Sequence, residues 1–125
     1  MCSQILVIED DRAVRELMLH TLSRAGYRVL SAEDGNEGMN LFRSEHPDLV
    51  ITDIVMPQKE GFETILALRK ECPEVKVIAM SGGGRHGTED YLSVARKLGA
   101  CRTVSKPFLR DEMLKVVREA LEDAA

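Results

Sequence analysis

The sequence predicts an α/β domain in which five short strands alternate with five helices around a parallel sheet. Continuous apolar runs, which are typical of strands buried on both faces, recur along the chain. Between them lie segments in which apolar residues repeat at helical spacing. Because a helix follows each strand, we expect right-handed crossovers and helices on both faces of the sheet. With 125 residues, the chain should form a single domain over residues 1–125.

The predicted strands differ in polarity. The second is more polar than the first, which favours a position near an edge of the sheet. The third begins with Leu49, Val50 and Ile51, and this uninterrupted apolar run should be buried at the centre of the sheet. The five predicted strands are residues 5–8, 27–32, 49–53, 75–80 and 101–105.

Turn and capping residues mark the helix boundaries. Asp11 should cap the first helix, and Gly26 should end it. Residues 34–35 should form a turn, and the second helix must end before Pro47 because the residue preceding a proline disfavours helical geometry. Gly61 should allow a turn before the third helix. The remaining helices are predicted from an N-cap at Thr88 to Gly99, and over residues 109–122.

Ionisable and hydroxyl side chains follow four of the predicted strands at their carboxyl ends. They are Glu9 and Asp10 after the first strand, Asp53 at the end of the third, Ser81 after the fourth and Lys106 after the fifth. Ligand sites of open α/β sheets lie at this edge, so we expect these groups to converge. Carboxylates favour a hard cation such as Mg2+, and with a hydroxyl and an ammonium group they suit phosphoryl transfer. Asp53 is the best nucleophile because it belongs to the central strand, and carboxylates form acyl phosphates.

Simpler interpretations of these residues remain open. Asp53 could merely end its strand or cap a helix, and Lys106 could be an ordinary surface lysine. Residues 82–84 are three glycines that could bring backbone N–H groups to an anion. They lack the spacing of a nucleotide-binding loop, however, and a flexible loop is the preferred explanation.

Composition and charge narrow the class of partner. Hydrophobic residues make up 44% of the chain, and its net charge of -4 argues against a nucleic-acid-binding surface. Cys2, Cys72 and Cys101 are odd in number and widely spaced, which fits free thiols in a reducing cytoplasm. The sequence has no apolar run of membrane-spanning length and no signal-peptide pattern. We therefore expect a cytoplasmic protein with protein or small-ion partners, and no direct contact with nucleic acid or membrane.

An ordered set of motifs resembles the receiver domain of two-component response regulators over residues 4–122. The motifs are the apolar run into Glu9-Asp10, Asp53 with Met56-Pro57 and Gly61, Ser81, and Lys106-Pro107-Phe108. The resemblance implies a flavodoxin-like fold with a sheet of order 2-1-3-4-5. It also implies a signalling module, rather than a conventional enzyme, that accepts a phosphoryl group on Asp53 from a sensor histidine kinase or a histidine phosphotransfer protein.

The resemblance further implies a Mg2+ site. Asp10, Asp53 and the backbone carbonyl of Val55 would ligate the ion directly, and Glu9 would act mainly through metal-bound water. Asp11 lies outside the matching acidic pair, which supports its role as a helix cap.

The same resemblance implies how phosphorylation would change the protein. Ser81 and Lys106 would bind the phosphoryl oxygens, and a change near residues 82–106 would reach a downstream protein target, in a monomer or weak dimer. Many receivers carry an aromatic switch residue where this sequence has Thr103. An aromatic rotamer change is therefore not expected here.

Two other functions are compatible with this type of sheet. A flavin- or nucleotide-binding module would use the glycines of residues 82–84, but the acidic strand ends would repel a ligand phosphate without a metal. A phosphatase would use Asp53 as its nucleophile, but Val55 stands where a second acid would be expected.

Overall fold

The computed structural model describes residues 3–54, 60–81, 96–97, 99–105 and 108–122, excluding the side chains of residues 60 and 61. The strands are β1 (Gln4–Ile8), β2 (Arg28–Ala32), β3 (Leu49–Asp53), β4 (Val77–Ser81) and β5 (Arg102–Ser105). The helices are α1 (Arg12–Arg24), α2 (Gly35–Glu45), α3 (Glu60–Glu71) and α4 (Arg110–Glu122). Residues 96–97, which belong to the predicted fourth helix, are also helical, whereas its expected N-cap, Thr88, lies outside the described residues. None of the helices described is long and apolar enough to cross a bilayer.

The five strands form one parallel sheet of order β2-β1-β3-β4-β5. This confirms the flavodoxin-like arrangement. The polar strand β2 lies at an edge, and the apolar strand β3 lies at the centre, as their sequences predict. Because all strands run in the same direction, their carboxyl ends share one edge of the sheet.

Two hydrophobic clusters cover the two faces of the sheet. Leu6 and Ile8 of β1 pack with residues of α2 and α3, whereas Ile5 and Val7 pack with residues of α1 and α4. This division follows from the alternation of side chains along a strand. Every residue of β3 is buried, so the central strand is held from both sides.

The start of α1 and the end of α2 agree with the sequence-based predictions. The Asp11 carboxylate accepts hydrogen bonds from the backbone N–H groups of Ala13 at 2.9 Å and Val14 at 3.2 Å. After α1, Gly26 has a φ of 99°, a left-handed conformation that favours glycine. The α2 helix ends at Glu45, before Pro47.

Three predicted boundaries are wrong in detail. Asp34 is the N-cap of α2 and Gly35 its first residue, because the Asp34 carboxylate accepts a hydrogen bond from the Glu37 N–H at 2.8 Å. Gly61 lies inside α3 rather than before it, since packing of the apolar residues that follow outweighs the weak helix propensity of glycine. The fourth strand begins at residue 77, because the Val75 N–H bonds to the Cys72 carbonyl in a turn.

Gly38 lets α2 approach β1 closely. A Cβ atom at this position would overlap the Cδ1 atom of Ile8 and lie 2.8 Å from its Cγ1 atom. Ile8 is fully buried, so its side chain cannot move away without displacing its neighbours. The contact bears on the ligand edge of the sheet because Ile8 immediately precedes Glu9.

We expect Gly38→Ala to lower the free energy of unfolding by up to about 2 kcal/mol, because overpacking costs about 1–3 kcal/mol and the gain in helix propensity returns about 1 kcal/mol. Urea denaturation measures the loss. Ile8→Val removes the overlapping Cδ1 atom, so the double variant should be more stable than the sum of the single effects predicts. Strictly additive effects would contradict this packing account.

Candidate functional site

Three carboxylates meet at the carboxyl edge of the sheet. Asp53 ends β3, and Glu9 and Asp10 directly follow β1. In the register between these strands, Ile8 pairs with Thr52, which places Glu9 level with Asp53. One carboxylate oxygen from each of the three acidic residues lies within 4.8 Å of the other two. We call Glu9, Asp10 and Asp53 the acidic cluster.

Burial makes the acidic cluster electrostatically costly. Glu9 is fully buried, Asp53 is 4% exposed and Asp10 is exposed. Two negative charges at about 5 Å repel each other by roughly 3 kcal/mol at an effective dielectric constant of about 20. A divalent cation would offset this repulsion. The donor set fits Mg2+, which is held by one or two carboxylates together with waters.

The turn that carries Glu9 and Asp10 is held by several hydrogen bonds. The Glu9 N–H donates to the Ala32 carbonyl of the neighbouring strand at 3.0 Å. The Glu9 carboxylate accepts a hydrogen bond from the Asp11 N–H at 3.1 Å. The Arg15 guanidinium donates to the Glu9 carbonyl at 2.8 Å. Sequence reasoning missed Arg15; its place one helical turn after the capping residue Asp11 is the signal that could have drawn attention to it.

The hydroxyl of Ser81 is a second unusual group at this edge. Asp53 pairs with Met80, so Ser81 lies one residue further along the neighbouring strand. Its side chain is fully buried, and within the described part of the chain its Oγ atom has no hydrogen-bond partner. Leaving a buried hydroxyl without a partner costs about 1–3 kcal/mol, and such groups require an explanation in native proteins.

Some of the remaining predicted site residues lie outside the part of the chain that the structure describes. Val55 and Lys106 lie outside the described residues, as do the glycines of residues 82–84. Ser105, which precedes Lys106, pairs with Ser81, so β5 ends at the same edge of the sheet. Thr103 accepts a hydrogen bond on its hydroxyl from the Arg96 guanidinium at 3.0 Å.

Comparison with known proteins agrees with the fold. The family model described as the response regulator receiver domain matches residues 5–118. The chain belongs to the response regulator receiver domain family. This confirms the resemblance inferred from the motifs, and it assigns the chain to two-component signalling.

Two similar regulators are longer than this chain. The response regulator MprA of Mycolicibacterium vanbaalenii is 35% identical over 118 residues, which are 94% of this chain and 50% of that protein. The probable transcriptional regulator ycf27 of Porphyridium aerugineum is 36% identical over 120 residues, which are 94% of this chain and 48% of that protein. The chain therefore spans about half the length of these relatives.

Solved receiver structures have the same fold. A response regulator receiver domain protein from Clostridium thermocellum superimposes with a TM-score of 0.87 at 30% identity, covering 95% of this chain and 94% of that one. The receiver domain of NtrX from Brucella abortus gives a TM-score of 0.89 at 30% identity, covering 96% of this chain and 99% of that one.

We expect Ser81→Ala to leave the free energy of unfolding unchanged or to raise it by up to about 1 kcal/mol, because it removes a buried hydroxyl for which the described residues provide no hydrogen-bond partner. Thr52→Val is the matched control. The equally buried Thr52 hydroxyl donates to the Asp53 carbonyl at 3.2 Å, so its loss should cost about 1 kcal/mol. Chemical denaturation of both variants decides the point. A loss for Ser81→Ala as large as that for Thr52→Val would contradict this description of Ser81.

Proposed function

We propose that the chain is a phosphoacceptor that takes a phosphoryl group on Asp53 from a phosphohistidine of a sensor histidine kinase or a histidine phosphotransfer protein. The observation that carries the proposal is the acidic cluster, whose three carboxylates lie within 4.8 Å of one another at the carboxyl edge of a receiver-family sheet. The chain would be modified rather than turn over an external substrate. It would act as a signalling module, and not as a conventional enzyme.

The acidic cluster would hold Mg2+. Asp10 and Asp53 would bind the ion directly together with the backbone carbonyl of Val55, and Glu9 would act through a bound water. When present, the ion supplies positive charge that offsets the carboxylates and attracts the incoming phosphoryl oxygens. Support comes from the donor set, which consists of hard oxygen ligands at the carboxyl ends of two neighbouring strands.

The protein groups themselves would position the transfer. An Asp53 carboxylate oxygen attacks phosphorus, the P–N bond of the donor breaks, and its electron pair stays on the imidazole nitrogen of the partner. The Ser81 hydroxyl donates to one phosphoryl oxygen, and the Lys106 ammonium pairs with another. Because buried β3 fixes the nucleophile, catalysis reduces to orientation and charge stabilisation.

The arriving phosphoryl group would give the Ser81 hydroxyl the partner that the described residues do not provide. The resulting shift at the end of β4 would spread through residues 82–106 to a downstream protein target. The hydrogen bond from Arg96 to Thr103 lies in this segment and joins its helical residues to edge strand β5. The absence of direct nucleic-acid contact remains a prediction for this chain, since similar proteins include probable transcriptional regulators.

Incubation with acetyl phosphate and Mg2+ should add one phosphoryl group to the chain, measured by intact mass. Asp53→Asn should abolish labelling because it removes the nucleophile. Asp11→Asn is the matched control: it removes a nearby charge but preserves the helix cap, since asparagine caps as well as aspartate. Asp11→Asn should be labelled to the same extent as the natural chain. Chelation of Mg2+ should stop the labelling of the natural chain and of Asp11→Asn.

The same assay separates the alternatives. Undiminished labelling of Asp53→Asn would contradict the proposal. Steady release of phosphate far beyond one equivalent would favour a phosphatase, and no reaction together with a retained coloured cofactor would favour a binding module.

Amide hydrogen exchange tests the output of the signal. Protection of residues 82–90 should change when a phosphoryl analogue and Mg2+ are added, because Ser81 then gains a ligand at the start of this segment. Asp53→Asn should show no change under the same conditions. Equal protection with and without the analogue in the natural chain would contradict a role for this segment.

A further inference from the structure

Arg15 reaches from α1 back to the turn that carries two members of the acidic cluster. Its Nη1 atom lies 2.8 Å from the Glu9 carbonyl oxygen. This oxygen belongs to the peptide unit that joins Glu9 to Asp10. Because that unit is planar, holding its carbonyl restrains the backbone torsions on either side of it and so limits the directions in which both side chains leave the turn.

The contact completes a closed set of hydrogen bonds. The Glu9 carboxylate accepts from the Asp11 N–H, and the Asp11 carboxylate accepts from the Ala13 N–H. The Arg15 N–H donates to the Asp11 carbonyl at 2.9 Å. The turn at residues 9–11 is thus attached to α1 through the Arg15 guanidinium, through the cap and through the helix backbone.

We propose that Arg15 is a positioning residue that holds Glu9 and Asp10 in the geometry that binds the divalent cation; this rests on the proposed function of the acidic cluster. Groups that orient metal ligands typically account for about tenfold to a hundredfold in metal affinity. Arg15 acts through the main chain of Glu9 and does not itself touch the metal or the phosphoryl group.

A competing effect has the opposite sign. Arg15 is a cation beside a cation site, so simple repulsion would make its removal strengthen Mg2+ binding. Loss of orientation would weaken binding instead. The sign of the change in affinity therefore separates positioning from general electrostatics.

Arg12 provides the matched control. It lies on the same helix and carries the same charge, but its side chain is 82% exposed, and its guanidinium pairs with Glu16 at 3.0 Å. Arg12→Met and Arg15→Met make the same change in side chain and net charge. Only the second removes the hydrogen bond to the turn.

The test is a Mg2+ titration of the metal-free natural chain and both variants, followed by amide chemical shifts. Arg15→Met should bind Mg2+ about tenfold more weakly, at the low end of the range for such groups, and Arg12→Met should stay within about twofold of the natural chain. Without metal, the Asp11 amide should exchange faster in Arg15→Met alone. Labelling of Arg15→Met by acetyl phosphate should recover when Mg2+ is raised about tenfold, because the nucleophile is intact.

Unchanged or tighter binding by a folded Arg15→Met, or an equal loss in Arg12→Met, would overturn the inference. If Arg15→Met does not fold, Arg15→Lys decides it. Lysine keeps the charge but lacks the planar guanidinium, so binding weaker than in the natural chain supports positioning, and unchanged binding overturns it. Failure of the proposed function would look different, since the natural chain itself would then bind no Mg2+ or would not be labelled on Asp53.

Discussion

Repulsion among three carboxylates at the ends of two buried strands is the constraint on which the rest of this site depends. The strand ends that carry the acidic residues cannot separate without breaking the pairing of β1 with β3, and that pairing is covered by apolar side chains on both faces of the sheet. The hydrophobic core therefore maintains an arrangement of charges that would be unfavourable by itself. Part of the stability that the core provides is therefore offset by the repulsion at this site, which a bound cation would relieve.

A second energetically costly group, the Ser81 hydroxyl, lies beside the acidic cluster. The Ser81 hydroxyl is buried at the end of the next strand and, among the described residues, has no hydrogen-bond partner. A bound cation would offset the repulsion within the acidic cluster, and a bound acceptor would take the hydrogen bond that the Ser81 hydroxyl can donate. A phosphoryl group accompanied by Mg2+ would satisfy both requirements. Membership of the receiver family agrees with this chemistry, although the family match by itself would not identify which groups are costly in the absence of ligand.

The sequence predicted those features that depend on simple periodicity. The apolar run at residues 49–51 indicated a buried central strand, and parallel strand order then implied that Glu9, Asp10 and Asp53 would meet. Local boundaries were harder. The sequence does not reveal whether Gly61 precedes a helix or lies in its first turn, because packing of later residues decides that. Val75 has a strand-like side chain, but its N–H is used in a turn.

Arg15 escaped prediction for a different reason. An arginine on a surface helix is usually solvated, and its partner here is a main-chain oxygen, which no side-chain pattern can reveal. Such contacts depend on the angle at which a helix leaves its strand. They must be found in the structure.

The most direct test of the central claim is anomalous diffraction from crystals soaked in Mn2+, a substitute for Mg2+ with the same preference for oxygen ligands. The account predicts a peak at about 2.2 Å from carboxylate oxygens of both Asp10 and Asp53, close to the range for hard cations. A fully occupied ion elsewhere, with the three carboxylates still crowded and unliganded, would contradict it.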